Sequence, residues 1–211
     1  MADNYLEKRY EEVFKSGGKA VNRHSPGVET LMRRTRSYRA YDQSYEVMEI
    51  QLEAIVRANT LVASARNQQA LRFRLLTRAS GSVRMQGLYR LGRALPELHL
   101  PAPGTEPEAF IVICSVLPEC KNIDIDLGIS CQSMLLKATE MGLQGVIICN
   151  FDRDAVRTEF DLPYEPLAIL AVGKGTETIE LVDATAGDNL NYYRKDGVHY
   201  VPKLGLADII I

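Results

Sequence analysis

The chain has 211 residues, of which 46% are hydrophobic and 25% charged, enough to bury well over half of its unfolded surface in one domain without a disulfide or a structural metal. A formal net charge of −2 supplies no global positive field for a polyanion, so nucleic acid is not an expected partner. The start of the chain, Met1 to Arg9, lacks the apolar core of a secretory signal, and no apolar run approaches the roughly 20 residues that span a bilayer. A cytoplasmic protein without a membrane partner is expected.

Taken in order, Leu6, Tyr10, Val13 and Phe14 fall near one face between charges and predict an amphipathic helix over Tyr5 to Phe14, ended by Ser16-Gly17-Gly18. Ser25-Pro26 offers an N-cap followed by proline for a short helix carrying Val28, Leu31 and Met32. Val47, Ile50, Ala54, Ala58 and Leu61 recur at three- and four-residue steps and predict a helix from about Ser44 to Val62.

Four runs read as strands: Arg72 to Thr77, Ala109 to Val116, Gly145 to Phe151 and Leu167 to Gly173. Three of them are nearly continuous apolar runs, which implies a sheet covered on both faces. Between the second and third, Ile125, Ile129, Leu135, Leu136 and Ala138 predict a long helix over Asp124 to Met141, stopped at Gly142. Asp152 caps a short helix that runs to Phe160 and stops before Pro163. The segment from 78 to 108 is irregular, of a length usual for a lid or binding loop, with a solvated, partly helical insertion as the alternative, and a second irregular, acidic stretch spans Gly173 to Asn191. The plan is α+β in a single domain over 1–211, with an N-terminal helix and linker over 1–24.

Cys114, Cys120, Cys131 and Cys149 form no C-x-x-C pair, and His24, His99 and His199 have no metal-ligand spacing, so scattered buried thiols and no metal are expected. Asp124-x-Asp126 reads as acids complementing the positive end of a helix, with a divalent-cation pair as the alternative. Cys149 reads as an inert thiol in an apolar strand, with a redox thiol as the alternative.

In Arg36-Ser37-Tyr38-Arg39-Ala40-Tyr41-Asp42, two guanidinium groups three residues apart face one side if the backbone makes a helical turn. With the intervening hydroxyl they then clamp a phosphate dianion. A solvated basic surface has the same composition. Ser64 to Phe73 places small residues and the amides of Asn67, Gln68 and Gln69 at a helix end, which suits either the rim of a planar polar ligand or a polar helix cap.

The combination resembles the nitroreductase family. Arg36, Ser37, Arg39 and Tyr41 match its R-S-x-R-x-(F/Y) element; Ser64, Asn67, Gln69 and Phe73 match its P-S-x-x-N-x-Q-P-W-x-F element. Asp126 and Gly128 match its D-x-G, continued by Gln132 and Leu136; Gly142-Leu143 and Ile148 to Phe151 match its G-L-G and W-I-G-A-F strand; Val201-Pro202-Lys203 falls where a terminal lysine stands. The chain departs from the pattern at Thr35, Ala70-Leu71, Ile147-Ile148-Cys149 and Leu204, positions that shape the pocket.

This resemblance implies a nitroreductase-like fold, a central mixed or antiparallel sheet flanked by helices in a domain-swapped homodimer, with FMN in a cleft at the subunit interface. It implies that Arg36, Ser37, Arg39 and Lys203 hold the phosphate, that Ser64, Ala65, Arg66, Asn67 and Gln69 line the ribityl chain and ring, and that Ile148 with the backbone of Cys149 and Asn150 lies near flavin N5. No side chain is then the catalyst. NADH or NADPH passes hydride to the flavin, which reduces a small electrophile such as a nitro compound or quinone by a ping-pong sequence. The alternatives are a flavin-binding protein without nicotinamide turnover (a flavin store, a sensor or a flavin-processing protein), or an unrelated domain that binds a phosphate ester.

Overall fold

The computed structural model describes residues 26–211; the helix expected over Tyr5 to Phe14, its Ser16-Gly17-Gly18 stop and His24 lie outside these residues. Helix α1 spans Val28–Arg34. Its N-cap is Gly27 with no side-chain cap, so Pro26 does not take the first helical position as expected, and Ser25 lies outside the described residues. Helix α2 spans only Glu49–Val56 and tightens into a 3-10 turn over Arg57–Thr60. It starts later than expected because Asp42 holds Ser44 outside it: Oδ1 accepts from the Ser44 N–H at 2.9 Å and from its hydroxyl at 2.6 Å. The inward face also differs. Val47, Gln51, Leu52 and Ile55 are buried, whereas Ile50 and Leu61 are exposed.

The central sheet has the order β1-β2-β4-β3, with β1 Leu71–Leu76, β2 Ala109–Ser115, β3 Gln144–Ile148 and β4 Glu165–Gly173. Every pairing is antiparallel. All of β2 and all but the first residue of β4 are buried, as their unbroken apolar sequences require. Successive side chains enter opposite cores. Ile111, Ile113, Leu170 and Val172 pack with Leu52 and Ile55 and with Cys131, Met134, Leu135 and Ala138 of helix α3, Lys121–Glu140. Phe110, Val112, Cys114, Ile169 and Ala171 pack instead with Met85, Tyr89 and with Val156 of helix α4, Arg153–Glu159. Two cores on the two faces of one sheet make a three-layer α+β domain.

The 78–108 segment contains short 3-10 turns over Ser82–Met85 and Pro96–Leu98. It is anchored where Tyr89 bridges Phe151 and the Arg90 N–H donates to the Asn150 carbonyl at 2.9 Å.

The acidic stretch after Gly173 is not irregular throughout. Thr178–Ala184 forms β5, parallel to β7 (Val198–Leu204), and β6 (Tyr193–Lys195) pairs antiparallel with β7 on its other side. Ile179 and Val182 are half-buried while Glu180, Leu181 and Asp183 are exposed, the burial of a strand on a half-exposed surface. A short helix α5, Leu206–Ile209, follows.

Candidate functional site

The stretch from Arg36 to Asp42 runs beside the free edge of β3. Ser37 makes a parallel bridge to Gly145, whose carbonyl accepts the Tyr38 N–H at 3.1 Å. Glycine is required at 145 because a Cβ there would lie 2.5 Å from the Ala171 carbonyl oxygen and 2.8 Å from Leu135 Cδ2. The first of the recognised sequence elements is thereby fastened to the strand that carries the fourth.

The helical turn that would align Arg36 with Arg39 is absent: no helix forms over these residues, and the Tyr38 N–H turns back to the Arg36 carbonyl at 3.1 Å. The Arg36 guanidinium turns back on α1, donating to the carbonyls of Thr35 at 2.5 Å and Met32 at 2.7 Å. It lines a cavity of about 370 Å³ with Arg33, Arg34, Tyr38, Gln144 and Lys174, and partial burial lowers its pKa. The Arg39 guanidinium donates to the Ser37 carbonyl at 2.9 Å and lies 4.8 Å above the Tyr192 ring. Ser37 is exposed, as is Lys203 on β7, where it stands opposite Asp183 of β5.

A buried carboxylate sets the main chain here. Glu177 accepts from the N–H groups of Arg39 and Ala40, the latter at 3.2 Å, and pairs with the Arg194 guanidinium. Beside it the buried His199 ring packs against Tyr192, with centroids 5.0 Å apart and the rings tilted by 43°. Burial, then the charges of Arg39 and Arg194, push the His199 pKa down to about 4.

A second assembly lies at the β1 edge. Between Ser64 and Leu71 three non-glycine residues adopt left-handed backbone conformations: Arg66 (φ 52°), Asn67 (φ 52°) and Gln69 (φ 47°). Each costs of order 1 kcal/mol and persists only where surrounding bonds fix it. Here Asp126 Oδ1 accepts the Ala65 N–H at 2.8 Å, Ser64 Oγ accepts the Gln69 N–H at 3.3 Å, and Gln69 Nε2 donates to Asn67 Oδ1 at 3.2 Å.

Because α3 begins at Lys121, Asp126 is in its second turn and buried at 5% exposure, not a first-turn surface acid like Asp124. Its bond to Ala65 joins the second sequence element to the third. Asp126, Ser64 and Gln69 line a cavity of about 560 Å³ with Asn59, Leu71 and Phe73.

The two assemblies sit at opposite corners of the sheet. Leu71 is opposite Ser115 and Ser115 opposite Glu165, whereas Gly145 is opposite Val172. Three interstrand steps and about seven residues along β4 put the corners on the order of 25 Å apart. The structure thus brings together Arg36, Ser37 and Arg39 at one corner, and Ser64, Ala65, Arg66, Asn67 and Gln69 at the other. Ile148 is buried at the end of β3, and Cys149 and Asn150 are exposed in the loop that follows it. Cys149 is therefore not within the strand as its apolar neighbours suggest. Cys114 and Cys131 are buried, and burial pushes their thiols up to about 11 and about 12. Glu177, Tyr192 and Arg194 carry no motif that would have singled them out; only the folding of β5 to β7 over the Arg39 segment assembles them.

Residues 120–174, from the N-cap of α3 to just past β4, match the model of the Nitroreductase family. No curated protein matches the sequence. Among solved structures the chain is similar to a nitroreductase family protein from Clostridium difficile, at 25% identity and TM-score 0.57, over 72% of this chain and 86% of that one. It is similar in fold to a Bacteroides thetaiotaomicron protein bearing the name NADH dehydrogenase/NAD(P)H nitroreductase (18% identity, TM-score 0.57, 71% and 87% covered). The fold is shared as well with an FMN-dependent nitroreductase from Clostridium difficile (20%, TM-score 0.56, 70% and 87%). The chain has the nitroreductase fold, and its segment from α3 through β4 carries the pattern of the Nitroreductase family.

Proposed function

We propose that this protein is an FMN-dependent oxidoreductase that takes hydride from NADH or NADPH and reduces a small electrophile such as a nitro compound or quinone. The observation that carries the reading is the physical pairing of the sequence elements: Ser37 with Gly145 at one corner, Ala65 with Asp126 at the other. Corners so far apart exceed the reach of one flavin, which supports a homodimer in which each site takes one corner from each copy. The names of the similar proteins from Clostridium difficile and Bacteroides thetaiotaomicron point to the same cofactor and reductant.

The donor set fits the cofactor. Arg39, Lys203 and the Ser37 hydroxyl are cationic or hydrogen-bonding groups suited to a phosphate, with Arg36 joining them once its guanidinium leaves the end of α1. The Ser64–Gln69 loop, with Ala65, Arg66 and Asn67, offers amides and backbone groups to the ribityl chain and the ring edge. Cys149 and Asn150 follow the buried Ile148 on an exposed turn where backbone N–H groups can face a reacting atom. Bound FMN supplies the hydride chemistry at N5, and the chain supplies orientation and charge.

The test is the visible spectrum of the purified protein, identification of the released cofactor by mass, and stopped-flow mixing with NADH and NADPH. A yellow protein that releases FMN and bleaches on mixing is expected. A yellow protein that is not bleached is a flavin store or sensor, and a colourless one without FMN affinity overturns the proposal.

A further inference from the structure

The cavity of about 370 Å³ beside β3 is walled by hydrogen-bond donors. Arg33, Arg34 and Arg36 line it from the end of α1, Gln144 from β3, Lys174 from just past β4, and Tyr38 from the segment that runs along the β3 edge. Among the described residues no Asp or Glu lines it. Its volume is that of a small-molecule site. Ser37 and Arg39, the groups proposed for the flavin phosphate, are not part of its wall.

Charge in this cavity is not balanced from within. Arg33 pairs with Glu29 at 3.0 Å, but Arg34, Arg36 and Lys174 form no ion pair among the described residues. The Arg36 guanidinium donates to two neutral carbonyls, and Lys174 Nζ donates to that of Gly142 at 3.2 Å. Such contacts satisfy donors without cancelling charge. Acids around the cavity are engaged elsewhere: Glu140 with Lys137 at 2.6 Å, Glu177 with Arg194, and Asp42 with Ser44 at 2.6 Å. The Tyr38 hydroxyl has no hydrogen-bond partner among the described residues. Burial, then the charge of Glu177, raises its pKa and keeps it a donor. Cations gathered around one concavity focus positive potential there, and guanidinium groups match the oxygens of a phosphate.

We infer that Arg34, Arg36, Tyr38 and Lys174 form a second anion site, separate from that of the cofactor, which takes the phosphate group of a small molecule. Two sources carry that group: free inorganic phosphate, and the 2′-phosphate that NADPH has and NADH lacks. The second source rests on the proposed function, and under it this cavity tells one reductant from the other. Arg36 belongs to the site while its guanidinium stays against α1.

The full-length chain, saturated with FMN so that the cofactor site is filled, is titrated by calorimetry with inorganic phosphate and with 2′-AMP. The same titrations are run on Arg34→Ala/Lys174→Ala, which alters two exposed residues outside the proposed flavin groups, and on the charge-keeping Arg34→Lys/Lys174→Arg.

Both anions are expected to bind the unaltered chain, with affinity lower by about tenfold or more in the alanine variant and largely retained in the charge-keeping one. Binding of 2′-AMP at least tenfold tighter than phosphate assigns the site to NADPH, and any smaller preference assigns it to free phosphate. Failure of both anions to bind, affinity indifferent to the alanine substitutions, or an equal loss in the two variants overturns the inference. A chain without FMN affinity that still binds phosphate through Arg34 and Lys174 retains the inference and loses the proposed function.

Discussion

His199→Phe removes a buried titratable ring while keeping an aromatic surface against Tyr192. In the folded chain His199 sits at about 4, against 6.5 for the unperturbed group. The unfolded chain therefore binds the proton first as pH falls, and stability drops with it. No penalty is present above about pH 6.5; it grows through the window from 6.5 to 4 and is complete below. A shift of this size corresponds to roughly 3 kcal/mol at the acid end. Urea denaturation of the wild type and His199→Phe at intervals from pH 7.5 to 4 measures it, the difference between the two curves cancelling the titration of carboxylates common to both. The wild type should lose about 3 kcal/mol more than the variant across this range. Parallel curves, or an imidazole resonance titrating near 6.5, would refute the placement of His199 between Arg39 and Arg194.

Glu177→Gln leaves Arg194 without its anionic partner and weakens the acceptor for the Arg39 and Ala40 N–H groups; it should destabilise by roughly 2–4 kcal/mol in chemical denaturation and loosen hydrogen exchange at 39–40. Leu170→Ala, at a fully buried position in the sheet core, should cost about 2–5 kcal/mol by the same assay with the urea slope unchanged. Gly145→Ala forces a methyl against the Ala171 carbonyl and should lower thermal stability by about 1–3 kcal/mol; an unchanged Tm would mean the edge strand yields freely.

The centre of the fold is legible in the sequence because burial on both sides leaves an unbroken apolar run, as in Phe110 to Ile113 and Leu167 to Val172. The helix over α3 was legible from its period, though it starts at Lys121, three residues before the expected Asp124. That small offset moves Asp126 from a solvated first turn to a buried second turn facing the Ser64–Gln69 loop, so its role is invisible without the register. Strand β5 was hidden by its acids, Glu180 and Asp183, both exposed although they fall on opposite faces of the strand. The orientation of Arg36 and Arg39 was not legible at all: spacing alone does not reveal whether the backbone between them is helical. The Glu177, Arg194 and His199 cluster depends on contacts across the small sheet that no local pattern encodes.

The separation of the two corners bears on genetics as much as on chemistry. In a two-fold dimer, a chain damaged only at Arg39 and a chain damaged only at Asp126 fail in different halves of each site. When the two are co-expressed and mix at random, each heterodimer holds one doubly damaged site and one intact site, restoring about a quarter of the wild-type number. Two null alleles would then rescue each other, whereas Arg36 and Arg39 alleles, damaged in the same corner, would not.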